Sequence, residues 1–295
     1  MRETFSSHHP TICLAFFTAV IVTSVLFTSP ACIIASLAGA FSYAVYLKRM
    51  KAVKFMLCVC IPLIIIAAGV NFFFNHHGVT TLFYLNDNPV TKEALVYGAA
   101  MAVMVVSAVL WCYCASIVMT SDKTLYIFGR VLPVISLILS VVLRSIPLFS
   151  RKMKDIRMGQ KALDTAGAKA GRKQRFRSGI GAFSMMVTWA LENSVDTALS
   201  MRARGYGLRG RVSYHDLRFD SRDVTLSLIM ALIAAGIIAG AAAGHSTIEY
   251  YPELLLPEMN LQSILFYCAY LAFCMIPLIV DVREDVKWKY LRSAI

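Results

Sequence analysis

Long apolar runs separated by short polar breaks dominate this chain. A helix needs about 20 apolar residues to cross ~30 Å of hydrocarbon, and windows near or above that length fall at 12–28, 31–47, 55–74, 94–119, 224–243 and 262–280. Six spans are predicted. Only Ser29 and Pro30 separate the first two, which predicts a tight helical hairpin. The first run is too long for a signal peptide, no small-residue cleavage site follows it, and a second run begins at once. It is therefore expected to stay in the mature chain.

The stretch between the fourth and fifth runs reads differently. Residues 132–143 are apolar but short, bracketed by Arg130 and Arg144, which predicts a segment at the membrane interface or entering obliquely. Pro147 follows as a break, then a basic helix over 150–162 and a second break near Gly167 and Gly171. Another helix is predicted from Phe183. On it Val187, Leu191, Val195 and Ala198 or Leu199 form one apolar stripe, while Glu192, Asp196, Ser200 and Arg204 recur at spacing four on another face. Gly205 is placed to end this helix, because glycine tolerates the left-handed conformation just past a helix. Arg202 and Arg204 then complement the negative end of the helix dipole. A cap role alone would account for both arginines.

Composition agrees with the pattern. The 295 residues are 58% hydrophobic and only 16% charged, too apolar for an ordinary soluble fold of this size. The formal charge of +12 is unevenly spread, with 16 of the 29 Lys and Arg residues lying between Ser150 and Arg222. Basic loops face the cytoplasm. The Lys48, Arg49, Lys51, Lys54 cluster, the 150–222 stretch and the Arg283 to Arg292 tail are therefore assigned there, and the loops 75–91 and 244–261, which lack Lys and Arg, are assigned outside. Both termini are expected in the cytoplasm, at the inner (plasma) membrane. Positive-inside topology and anionic headgroups account for most of the basic residues. Nucleic acid is not an expected partner, because no binding module accompanies the charge.

The run Ala190-Leu191-Glu192, followed by Ala198, Met201, Arg202 and Ala203-Arg204-Gly205-Tyr206-Gly207, resembles a signature of the transmembrane T component of energy-coupling factor transporters, the cobalt transport protein Q type. The likeness extends over almost the whole chain. It implies a non-catalytic coupling subunit of an ABC importer that works with two ABC ATPase subunits and a substrate-binding membrane S component for a vitamin or a transition-metal ion. In that family two cytoplasmic coupling helices each carry an Ala-Arg-Gly or Ala-Arg-Ser motif whose arginine docks in a groove of one ATPase. By resemblance Ala203, Arg204 and Gly205, with Arg202 beside them, are the second motif. The first departs from the pattern: Ile156-Arg157-Met158-Gly159-Gln160-Lys161-Ala162 leads into Leu163 and Asp164 where arginine and a small residue are expected. Lys161 is the stand-in charge, without the planar fork that pairs bidentately with carboxylate.

Gly236, Gly240 and Gly244 repeat at spacing four in the fifth run, a small-residue face suited to close helix packing or to contact with an S component. Gly205-Tyr206-Gly207-Leu208-Arg209-Gly210 matches a dinucleotide pattern only formally, since it follows a helix end and not a strand. The sequence carries no phosphate-loop lysine motif, so ATP hydrolysis is assigned to separate subunits. Cys13, Cys32, Cys58, Cys60, Cys112, Cys114, Cys268 and Cys274 all lie in apolar runs and read as packing residues. In Cys58-x-Cys60 and Cys112-x-Cys114 the two-residue spacing points the thiols apart. His8-His9 and His76-His77 lack carboxylate or thiol at ligand spacing and read as solvated interface residues. No metal or other cofactor is expected.

The expected fold class is an all-α integral membrane protein with about six transmembrane helices and long cytoplasmic amphipathic coupling helices. The expected organisation is N-terminal spans over 1–119, a coupling domain over 120–222, and C-terminal spans with a short tail over 223–295. None of the six runs has Lys, Arg, Asp or Glu in its centre, unlike many ion-coupled carriers and intramembrane enzymes. The alternative is a stand-alone permease or membrane enzyme whose polar site is built from loops, around Arg144, His215 and Asp216.

Overall fold

The computed structural model describes residues 4–74, 80–85, 88–163, 172–206, 208, 220–248, 250 and 260–293. Its elements in chain order are α1 (Thr4–Ser7), α2 (Pro10–Leu26), α3 (Pro30–Lys48), α4 (Met50–Phe55), a π-helical turn (Met56–Cys60), α5 (Ile61–Phe74), β1 (Thr81–Leu85), β2 (Asn88–Thr91), α6 (Lys92–Val118), α7 (Ser121–Val131), α8 (Pro133–Leu163), α9 (Arg172–Ala203), α10 (Ser221–Ala242) and α11 (Leu261–Ser293). The protein is an α-helical integral membrane protein. Among the described residues six helices are long and apolar enough to cross a membrane, over Pro30–Lys48, Met50–Ala67, Lys92–Val118, Val134–Ala162, Ser221–Ala242 and Leu261–Arg292.

That set differs from the six runs picked out by pattern. The first run is the 17-residue helix α2, just shorter than the six but within the length that can cross, and Val134–Ala162 joins the other five by length and composition. The predicted break at Pro147 is absent: α8 runs 31 residues straight through it. A proline removes one backbone donor and leaves one carbonyl without its usual partner, and the turns on either side can carry the helix on, as in many membrane helices. α9 likewise starts at Arg172, not near Phe183.

The chain forms two compact units. The first comprises residues 1–124 and 217–295, the second 125–216. In the first unit, helix starts follow local rules. Pro10 and Pro30 sit in the first turns of α2 and α3, where a missing N–H costs nothing. Asp220 and Asp223 form a reciprocal capping box at the start of α10. α3 and α4 are divided by a single residue, Arg49, at φ 40°. The loop between α5 and α6 contains an antiparallel hairpin pairing Phe83 with Val90 and Leu85 with Asn88, which the pattern did not foresee. Beside it the Thr80 hydroxyl donates to Glu93 Oε1 at 2.6 Å.

The core of this unit is aromatic. Phe16 packs edge-on against Phe17 and Trp111 and tilts over Phe273, with Tyr43 and Tyr270 also fully buried. Trp111 Nε1 donates to Ser36 Oγ at 3.1 Å, so the indole brings no unpaired donor into the interior. Small residues set the spacing: a Cβ on Gly39 would lie 2.8 Å from Cys274 Cβ. Outward faces are apolar, with Leu228, Leu232 and Ile238 of α10 and Leu265 of α11 exposed, as hydrocarbon requires and water does not. The cysteine pairs split as their spacing predicts, Cys60 and Cys114 inward, Cys58 and Cys112 outward.

Where α2 turns into α3, the turn is clamped by the segment after α10. Ser29 N–H donates to the Ser246 carbonyl at 3.1 Å, and Tyr250 O–H donates to the Thr28 carbonyl at 2.7 Å. Burial, with Tyr97 beside it, raises the Tyr250 phenol pKa and keeps it a donor.

The three glycines of the fifth run do not act as one face. Gly236 looks into open space, whereas a Cβ on Gly240 would lie 2.4 Å from the Phe266 ring of α11. Gly244 lies past the helix end at φ 86°, and with it His245 N–H bonds to the Gly240 carbonyl and Gly244 N–H to that of Ala241. This is a Schellman termination. Position 244 therefore ends the helix and is not part of its packing stripe. Gly240→Leu should lower the unfolding temperature of the detergent-solubilised protein, at a cost of about 1–3 kcal/mol for overpacking. Gly236→Leu should leave that temperature within the scatter of the wild type.

Candidate functional site

The second unit, taken by itself, is built on a two-helix hairpin of α8 and α9. Phe149 meets Trp189 edge-on at 5.9 Å, and the Lys152 ammonium sits 5.3 Å above the same indole. Eleven residues along α8, Gln160 hydrogen-bonds Ser178 at 3.3 Å, and its amide also lies against Gly181. The pairing of 149 with 189 and of 160 with 178 makes the helices antiparallel. The face of α9 that is covered runs through Ser178, Ala182, Met186, Trp189, Asn193 and Thr197. These positions recur at three and four, but they are mostly small or polar, so a hydrophobicity pattern passes over them.

The stripe that the pattern did select is left exposed. Val187, Leu191, Val195 and Leu199 are all open, and the row extends back through Phe183, Ile180 and Phe176, which is 72% exposed. Leu191 alone leaves 65% of its surface uncovered. The polar column Glu192, Asp196, Ser200, Arg204 is exposed as well.

At the end of α9 the backbone fixes the Ala-Arg-Gly geometry. Gly205 has φ 74°, Tyr206 N–H bonds to the Met201 carbonyl and Gly205 N–H to that of Arg202, each at 3.0 Å. This is again a Schellman motif, which makes Arg204 the C-cap and Ala203 the last helical residue. Arg202, Ala203 and Arg204 are exposed, while Gly205 and Tyr206 are half-buried. Leu208 folds back so that a Cβ on Gly205 would meet it at 3.1 Å. A glycine is favoured here by its φ, while the exposed Leu208 side chain can give way.

Lys161 is exposed near the end of α8, next to the Gln160 contact. From Ser178 to Arg204 the helix rises ~39 Å at about 1.5 Å per residue. The two basic positions therefore stand on the order of 40 Å apart, at opposite ends of the α8–α9 hairpin. Gly207, Asp164, His76, His77, His215 and Asp216 lie outside the described residues. Arg144 is exposed on α8. Among the described residues no three of His, Cys, Asp and Glu gather as a metal site would require. His8 and His9 are not solvated as expected: His9 is buried, and His8 Nδ1 shares a 2.6 Å hydrogen bond with Asp223.

These features are those of a helical membrane protein with a polar hairpin at a basic stretch. The chain belongs to the cobalt transport protein family, CbiQ, whose family model matches residues 1–214 and so reaches past the Ala203-Arg204-Gly205 end of α9. No curated protein matches the chain.

Gly205→Ala should destabilise the helix end by roughly 1–2 kcal/mol, the cost of a left-handed Cβ. Amide exchange over 201–206 should speed up accordingly, and Gly205→Asn should be milder than Gly205→Ala.

Proposed function

We propose that this chain is the transmembrane coupling subunit of an energy-coupling factor type ABC importer, placed in the inner membrane with both termini in the cytoplasm. It joins two ATPase subunits to a substrate-binding S subunit and passes their ATP-driven closure to that subunit, for uptake of a vitamin or a transition-metal ion. The observation that carries this reading is the exposed Arg204 held at the Schellman end of a 32-residue helix in a member of the cobalt transport family. A guanidinium at a fixed helix end can reach an acidic groove without first ordering its own backbone. The α8–α9 hairpin is a lever whose two basic ends lie far enough apart to meet two separate partners. Lys161 serves the second contact as a point charge, weaker than an arginine fork.

The exposed apolar row on α9 is the surface this reading assigns to the S subunit or to lipid. Of the three glycines, Gly236 keeps free space within the helix for such a contact, since Gly240 is filled by Phe266 and Gly244, though open, ends the helix.

Arg204→Ala should weaken capture of the ATPase subunits about 10- to 150-fold, from the loss of a charge-assisted contact of about 1.5–3 kcal/mol. Uptake in cells should fall to background while membrane insertion and yield stay normal. Lys161→Ala should cost less. Undiminished copurification and uptake for Arg204→Ala would refute the proposal.

A further inference from the structure

The chain leaves the first unit between residues 124 and 125 and returns between 216 and 217. Within a few positions along the chain of each crossing, and wholly inside the first unit, comes a charged side chain that grips the same short N-terminal segment. On the outgoing root, Lys123 Nζ donates to the Ser6 carbonyl and to Ser6 Oγ, and also to the Val118 carbonyl at the end of α6. On the returning root, Asp223 in the first turn of α10 accepts from His8 Nδ1 at 2.6 Å.

The segment itself is firmly seated. Phe5 is fully buried, edge-on to Phe16 at 5.6 Å, Phe17 at 6.1 Å and Tyr43 at 6.5 Å. Its N–H donates to Oδ1 of the fully buried Asp281 on α11 at 2.6 Å, and its carbonyl accepts from Cys13 Sγ on α2 at 3.3 Å. Buried carboxylates need donors where they lie. Asp223 and Asp281 each receive one from this segment, Asp223 in addition to the Asp220 N–H it accepts in the α10 capping box.

We propose that residues 4–9 are a fixed clasp that ties together the two roots through which the first unit connects to the second. The roots belong to α6–α7 and to α10, elements far apart in sequence. One plug of six residues bonds both, with Phe5 as its anchor in the aromatic core. The clasp is a permanent tie and not a gate, because opening it would bare the Phe5 ring and strip donors from two carboxylates. A displacement entering at either root then reaches the other. Resting on the coupling reading above, this would make the membrane unit answer the lever as one body.

The distinctive consequence is cross-talk, readable by amide hydrogen exchange on the full-length protein in detergent, with no ATPase present. Lys123→Met alters the outgoing root and should raise exchange over 223–226 on the returning root by about tenfold. His8→Ala should raise exchange over both 120–124 and 223–226 by a similar factor, with the interiors of α3 and α6 unchanged. Phe5→Ala should do the same, and if that variant fails to fold the two others still decide. Exchange that rises only on the root carrying the changed contact would overturn the proposal. So would a uniform rise through α3 and α6, which would make the segment ordinary core. Neither result bears on whether Arg204 docks an ATPase.

Discussion

The last carbonyls of a helix have to find donors, and at two places in this protein a glycine past the helix end supplies the answer. At Gly244 the backbone closes over α10 and turns the chain toward the α2–α3 turn, where Ser246 accepts the Ser29 N–H. At Gly205 the same closure ends α9 and leaves Arg204 as the exposed C-cap. The carbonyls satisfied in this way also carry the negative end of the helix dipole, which favours a guanidinium nearby. The cap explanation and the docking explanation for Arg204 are therefore not rivals. The constraint that shapes the helix end is what holds the arginine at a defined point.

A second constraint separates the two faces of the membrane helices. Lipid tails accept apolar side chains of any shape, so the outward residues of α10 and α11 need only be apolar. Inside, the helices gain little from hydrophobic transfer and hold together by close fit and by paired polar groups. Gly39 against Cys274, Gly240 against Phe266 and the Trp111 to Ser36 hydrogen bond are of this kind. The two carboxylates that face the N-terminal segment follow the same rule, since each meets a donor at hydrogen-bond distance.

In the α8–α9 hairpin the packing is reversed. Its inner face joins the Phe149–Trp189 contact to mostly small or polar residues such as Gln160 and Ser178, while its strongest apolar row is exposed. The helix resembles one half of an interface more than a self-sufficient fold. Membership of the cobalt transport family gives that exposed row a setting, because a transport subunit works among partners and lipid.

Much of this was legible in the residues. Apolar runs gave the class of protein and most of the helices, Gly205 marked the end of α9, and the Ala-Arg-Gly run pointed to the family, because each depends on local spacing or on backbone freedom at a single residue. What the spacing could not reveal depended on contacts between distant segments. Pro147 signals a break by propensity, yet α8 continues. Gly236, Gly240 and Gly244 are evenly spaced but meet open space, a phenyl ring and a turn, because only the position of α11 and the helix end tell them apart. His8 looks like a solvated residue until α10 brings Asp223 to it from 215 positions away. Period and composition are properties of one segment and can be read from it alone; which surface a segment finally covers is set by all the others at once, and that was decided only in the folded chain.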